Sequence, residues 1–306
     1  MQTVPVLLYS SDLNNSFTTC YTYLLFISSS PPPPSWQEYS ETMWNELCRY
    51  FWSACHCCGL MPASAMPASQ LALSCTDVLL AAQTGDLVLF SGSSLLSKLI
   101  ELACDSSWSH VGIVYRTADD VLLLEAVKNY DGVVDVLARQ ECTGVRVVRL
   151  ADVLYSFHGN YMALRKVQCE TVAELQVVRA SLQRAIAGFI QSYHLRPYEP
   201  RWYDFIAAQY HMLMRVRQRM DAFFCTEVVA VCYMDAGILG GGAGRSAPNQ
   251  YLPFDFCESS NLELQAPPGL VGRVRLGGTL FVETRHALPD ALDAVHDFIV
   301  TNNTEP

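Results

Sequence analysis

The chain is poor in charge, and in positive charge most of all. Of its 306 residues 16% are charged, and 20 Lys+Arg stand against 30 Asp+Glu for a formal net charge of −10. It has no Lys/Arg run. Without a dense basic face a protein cannot neutralise phosphates, so nucleic acid is not expected as a partner. The first basic residue is Arg49, which leaves the start without the cationic region of a secretory signal or the arginines of a transit peptide. Nor does an uninterrupted apolar run approach the roughly 18 residues that cross a bilayer. Cysteine is not scarce, but the 12 cysteines are unevenly spaced, unlike the framework of a small secreted disulfide scaffold. These absences predict a reducing, cytoplasmic setting, with any membrane association made by something other than a spanning helix.

Two further absences narrow the chemistry. Cys55, His56, Cys57 and Cys58 invite a zinc reading, but structural zinc needs a second ligand pair at suitable spacing and none follows nearby. No metal is expected. Acylation of these cysteines beside the aromatics of 44–58 is the other reading, and it would give peripheral membrane contact. The loop LGGGAGRS at 239–246 follows a helical pattern rather than a strand and lacks Gly-Lys-Ser/Thr, so it is not a phosphate cradle.

What is present divides near residue 85. Residues 1–84 hold a Pro run at 31–34, serine clusters and a repeated MPAS at 61–64 and 66–69. That composition reads as a leader or linker, largely disordered and with little core of its own, with a short aromatic helix expected at 44–58. From Gly85 to the end the pattern is globular. Strand-like runs are predicted at 86–90, 110–115, 121–126, 133–136, 145–150 and 161–167. Helical spacing is found at 94–104 and 289–300. Another helix opens at Thr171, with Glu174 three residues on as a capping box and Leu175, Val178, Leu182, Ile186 and Phe189 as one apolar stripe. Gly277-Gly278 predicts a hairpin over 274–282. The expected class is α+β, with a mostly antiparallel sheet packed against helices.

FFCTEVVAVCYMDAGI at 223–238 carries the chemistry. If 222–236 is helical, Cys225, Val228, Val229, Cys232 and Ala236 share an inward face, and Cys225 lies in the first turn. Unpaired N–H groups and the positive end of the helix dipole there favour a thiolate, hence a nucleophile. A buried, inert thiol is the alternative. A nucleophile needs a base and an orienter for it. His110 opens the clear strand SHVGIVY, and Gly112 leaves space beside the ring. With 116–119 as the hairpin loop, Tyr115 pairs with Asp120 and His110 with Glu125, which places a carboxylate across from the imidazole. The alternative for Glu125 is a solvated strand-end charge, and a slip of one residue would turn it away. His56, His158, His194, His211, His286 and His296 have no matching partner and read as ordinary residues.

GDLVLF (85–90), SHVGIVY (109–115), LLLEA (122–126) and FFCTEVVAVCYMDAGI, in this order, resemble the circularly permuted branch of the NlpC-type papain-like superfamily, the YiiX/YebB-like amidases, and a small poxvirus protein group of the same fold. The resemblance spans about 85 to 255. It implies a permuted papain-like fold in which the histidine strand precedes the cysteine helix, with Cys225 as nucleophile, His110 as base and Glu125 as orienter. It also implies that a tyrosine ahead of the cysteine helps bind the oxyanion, Tyr198 first and Tyr203 in reserve. No cofactor is implied. The substrate would be a small amide, a peptide or a lipid-like molecule, with a non-catalytic binding or scaffold protein of the same fold as the alternative. Thr226 stands where the family usually has serine, and the segment from Tyr198 to Cys225 is longer than usual. Within that segment 210–220 reads as a basic, methionine-bearing helix.

Overall fold

Short apolar runs separated by polar turns become the strands of one sheet. The computed structural model describes residues 72–94, 97–98, 100–101, 106–129, 131–199, 220–240, 247–260 and 262–283. The chain separates into two units, Met1–Cys58 and Gly59–Pro306, and every described residue lies in the second. The strands are β1 (Leu87–Ser91), β2 (His110–Arg116), β3 (Val121–Val127), β4 (Val134–Asp135), β5 (Gln140–Glu141), β6 (Gly144–Arg149), β7 (Tyr161–Arg165), β8 (Val167–Gln168), β9 (Arg275–Leu276) and β10 (Leu280–Val282). The helices are α1 (Cys75–Ala81), α2 (Leu150–Ser156), α3 (Val172–Tyr193) and α4 (Cys225–Asp235). Eight strands form an antiparallel sheet in the order β10-β7-β1-β2-β3-β6-β4-β5, and β8 pairs with β9 apart from it. The chain is α+β, as the alternation of runs predicts.

Helices cover both faces of the sheet, which is why β1 and β7 are buried at every position and apolar at all but their last. On one face Val88, Phe90, Val114, Leu123, Val148, Met162 and Leu164 pack under Val78 of α1, Ala82 at its end, and Leu150, Val153 and Leu154 of α2. On the other, Leu87, Leu89, Val111, Ile113, Leu124 and Val147 meet α3 and α4. The start of α3 is fixed by a reciprocal cap: the Glu174 N–H donates to Thr171 Oγ1 and the Thr171 N–H to the Glu174 carboxylate. At Gly85 the chain turns into β1 with φ of +90°, and an added Cβ would lie 2.3 Å from Leu182 of α3, so only glycine fits.

The structure departs from the sequence reading at several places. Folded elements begin before Gly85: Leu73 bridges Val282, and α1 is capped by Ser74, whose side chain accepts the Asp77 N–H. Residues 73–84 therefore belong to the domain rather than to a leader, because Val78 and Ala82 complete one face of the sheet. Leu150 opens α2 instead of closing β6. The Gly277-Gly278 hairpin does not form. β9 pairs with β8 and β10 with β7, since the run 275–282 lies alongside 161–168 rather than folding back on itself. And α4 is not amphipathic: Cys225 to Tyr233 are all buried, the mark of a helix enclosed on every side. The expected helices at 44–58 and 289–300 lie outside the described residues, as does most of 94–104 and 210–220. No helix among the described residues is long and apolar enough to cross a membrane.

Candidate active site

His110 is the first residue of β2 and Cys225 the first of α4, so backbone geometry brings both to one end of the sheet. Pairing of β1 with β2 sets His110 opposite Phe90, and their rings lie 5.2 Å apart. By alternation His110 shares its side of the sheet with Phe90 and Val114, whereas Cys225 belongs to the core on the other side. The two meet around the sheet's end, where the β2–β3 ladder has stopped at Ile113↔Leu124 and no pairing holds residue 110 against β3. There the Cys225 side chain lies close enough to the His110 ring to act on its charge. Cys225 is only 4% exposed.

The carboxylate arrives by a different register from the one the sequence suggested. Arg116 pairs with Val121 and Ile113 with Leu124, so the hairpin loop is 117–120, closed by the Thr117 N–H on Asp120 O. Carrying that register on sets Glu125 across from Gly112, and His110 becomes its diagonal neighbour. The slip is of two residues. Because side chains repeat every two, His110 and Glu125 still share a face, and long side chains bridge the diagonal. His110 Nε2 lies 2.7 Å from Glu125 Oε2. The space over Gly112 is not open: an added Cβ would come within 2.9 Å of the Leu123 side chain, which fills it by close packing between neighbouring strands.

Arg146, which the sequence reading passed over, stands behind the carboxylate. It is the cross-strand partner of Glu125 on β6 and is 1% exposed. Its Nε and Nη2 donate to Glu125 Oε1 at 3.0 and 2.7 Å, and Nη1 donates to Asp131 Oδ1 at 2.7 Å. Nη2 also donates to Asp131 Oδ2. The visible signal was an arginine inside the apolar run GVRVVR, as anomalous there as Glu125 in VLLLEAV.

Electrostatics follow from these contacts. Burial by itself would lower the proton affinity of His110 and raise that of Glu125. For His110 burial is outweighed by the neighbouring Cys225 side chain and by the bond to Glu125, which hold its pKa up at about 10. For Glu125 burial is outweighed by the Arg146 guanidinium and then by His110, bringing its pKa down to about 2. At neutral pH His110 is an imidazolium held between charged partners, with Glu125 a carboxylate and Arg146 a guanidinium.

Tyr198 joins the same cluster. The chain at Pro197 and Glu199 runs parallel to Phe223, with Phe223 N–H on Pro197 O and Glu199 N–H on Phe223 O, both at 3.1 Å. Tyr198 stands edge-on to Phe224 at 5.6 Å. Burial, then the nearby charge of Cys225 and of Glu227, keeps its hydroxyl protonated well past the ordinary tyrosine range. Glu227 is spent on the helix start, accepting the Phe224 N–H at 2.7 Å. Tyr203 lies outside the described residues, as do Cys55, His56, Cys57 and Cys58. Among the described residues, no group of three His, Cys, Asp or Glu is placed to hold a metal ion. His194, read as ordinary, binds the buried Asp135 at 2.9 Å, where it ties the end of α3 to β4.

No family model and no curated protein matches the chain. Among solved structures it is similar to the metalloprotein YiiX from Escherichia coli O157:H7, with 20% sequence identity over 64% of this chain and 96% of that chain, at a TM-score of 0.36. At that score the likeness carries no residue role across.

Proposed function

We propose that this chain is a cysteine-dependent hydrolase or acyltransferase that cleaves an amide or ester bond through an acyl-enzyme. The supporting observation is that the His110 ring is bonded to the Glu125 carboxylate and also feels the charge of the Cys225 side chain at the head of α4. The Cys225 thiolate attacks the substrate carbonyl carbon. The oxyanion so formed is met by the Tyr198 hydroxyl and by the backbone N–H of Cys225 at the positive end of α4. As the tetrahedral intermediate collapses, His110 gives its proton to the departing amine or alcohol and the thioester remains. Neutral His110 then takes a proton from water or another acceptor as that molecule attacks the thioester, which regenerates the thiolate–imidazolium pair. Glu125 keeps Nε2–H of His110 engaged throughout, so the other ring nitrogen serves the sulfur.

Small amides, peptides and lipid-like acyl compounds all present such a carbonyl. Labelling with a panel of amide and lipid electrophiles separates them. Labelling that maps to Cys225 and is absent in Cys225→Ala is the expected result, and no member of the panel reacting at Cys225 would reject the enzyme. One observation favours a second reading, a non-catalytic binding or scaffold protein: the near-complete burial of Cys225. Alkylation of Cys225 by iodoacetamide across pH decides between them. Modification that persists well below pH 8 and weakens in His110→Ala belongs to the enzyme. An ordinary thiol profile, the same in both proteins, belongs to the scaffold.

A further inference from the structure

We infer that Arg146 is a positioning residue of this site, acting through Glu125 to hold the thiolate–imidazolium pair in its charged state. The inference rests on the catalytic reading above and adds to it the group that sets its charge balance. In that reading Cys225, His110 and Glu125 together carry two negative charges and one positive, and Cys225 and Glu125 are largely removed from water. A buried cluster with an unbalanced charge takes up a proton, and here that proton would quench either the nucleophile or the carboxylate. Arg146 supplies the missing positive charge from 2.7 Å behind Glu125.

Its geometry does a second task. Both bonds to Glu125 end on Oε1, so the carboxylate cannot rotate without breaking them, and Oε2 stays aimed at His110. A guanidinium does this better than an ammonium, because its planar fork fixes direction as well as charge. The fork is in turn anchored by Asp131, whose side chain is 44% exposed and whose charge is therefore screened. The chain of alternating charges thus runs from the buried sulfur to the protein surface.

Among the described residues, the other groups facing this cluster are Glu227 on α4, Tyr198 ahead of α4, Cys142 between β5 and β6, and Asp135 on β4 with His194 bound to it. Asp135 is engaged by the N–H groups of Leu137, Ala138 and Val147, and Glu227 by that of Phe224. None of them supplies a second cation toward Glu125.

The test is the pH profile of Cys225 alkylation by iodoacetamide, followed by mass spectrometry on the full chain, with thermal melting to confirm folding. In Arg146→Met the acid limb should move up by about one unit, a tenfold loss of rate at a fixed pH on that limb. In Asp131→Asn it should move down by roughly a few tenths of a unit, because a screened negative charge has been removed. Arg146→Lys, which keeps the charge, should stay near the wild-type limb. Arg146→Met should add nothing further in a Glu125→Gln background. A purely structural arginine would not give shifts of opposite sign. An unmoved limb in folded Arg146→Met, or a shift of the same sign in Arg146→Met and Asp131→Asn, overturns the assignment. If Arg146→Met does not fold, a limb in Asp131→Asn that is unmoved or raised overturns it. His110→Ala, measured alongside, separates the two failures. If wild type itself behaves as an ordinary thiol, the catalytic reading falls. If wild type depends on His110 while the Arg146 and Asp131 variants follow wild type, only the role of Arg146 falls.

Discussion

Two buried carboxylates in this domain each face an arginine, and they are held in opposite ways. Asp86 receives Arg179 Nη2 at 3.0 Å on Oδ1, and its remaining capacity goes to the N–H groups of Gln83 and Val167. Burial prevails there, and the Asp86 carboxyl binds its proton more tightly than usual. Glu125 receives two bonds from Arg146 and leaves its other oxygen to a histidine. There the charges prevail and the proton is lost more readily. Asp86 is spent on fixing backbone: it ties the turn before β1 to the start of β8, beside the Tyr233 hydroxyl on Gly85 O. Glu125 is spent on a group that can change its charge. A buried acid–arginine pair is therefore no sign of chemistry by itself. The partner on the second oxygen decides.

The sharpest way to break this comparison is to remove the reacting groups on one side of it. Cys225→Ala should abolish acyl-probe labelling, and His110→Ala should slow it by about a thousandfold, while Asp86→Asn leaves the labelling rate per folded molecule unchanged. Labelling lost equally in Asp86→Asn would put both carboxylates in one functional unit and erase the distinction. Next in size is Tyr198→Phe, for which loss of one oxyanion donor predicts a drop of roughly a hundredfold in the labelling rate. An unchanged rate would remove Tyr198 from the site.

A finer contrast comes from stability against pH, measured by urea unfolding. Glu125, lowered from 4.5 to about 2, contributes stability that is complete above pH 4.5 and lost as pH falls through about 2. The gap between wild type and Glu125→Gln should shrink on acidification. Asp86, raised from 3.8, takes up its proton in the fold before the unfolded chain does, so acidification favours the fold. The gap between wild type and Asp86→Asn should grow. Slopes of the same sign would refute the contrast. On the alkaline side, the stabilising contribution of His110, raised from 6.5 to about 10, is complete below pH 6.5 and fades as pH rises through 10. The smallest effect expected is that of Gly112→Ala, about 1 kcal/mol, as the new Cβ meets Leu123.

Much of this was legible along the chain. Period-two and period-3.6 apolar patterns placed β1, β2, β3, β6, β7 and α3 within a residue or two, and the Thr171–Glu174 cap marked where α3 begins. Glu125 and Arg146 are each out of place in an apolar strand, and only long-range pairing of β3 with β6 joins the two signals into one. What was not legible depended on partners distant in sequence. The run 275–282 contains a plausible hairpin turn, yet β7 and β8 offer it a longer partner. Residues 73–84 resemble linker in composition, yet Val78 and Ala82 join Leu150, Val153 and Leu154 in covering a sheet face. The hairpin register was misplaced by two residues because loop length cannot be counted from composition when either of two four-residue loops fits.

The sequence by itself determined the class of the fold, the entry of Cys225 at the head of a helix and the parity that keeps His110 and Glu125 on one side of their strands. Parity survives an error of two residues because the pleat repeats every two. Only the tertiary structure decided that the sulfur and the imidazole meet around the end of the sheet, that Arg146 stands behind Glu125, and that α4 is enclosed on all sides. Each of those facts is a distance between segments far apart in the chain, and such distances are set by how whole layers pack, which local residue patterns do not encode.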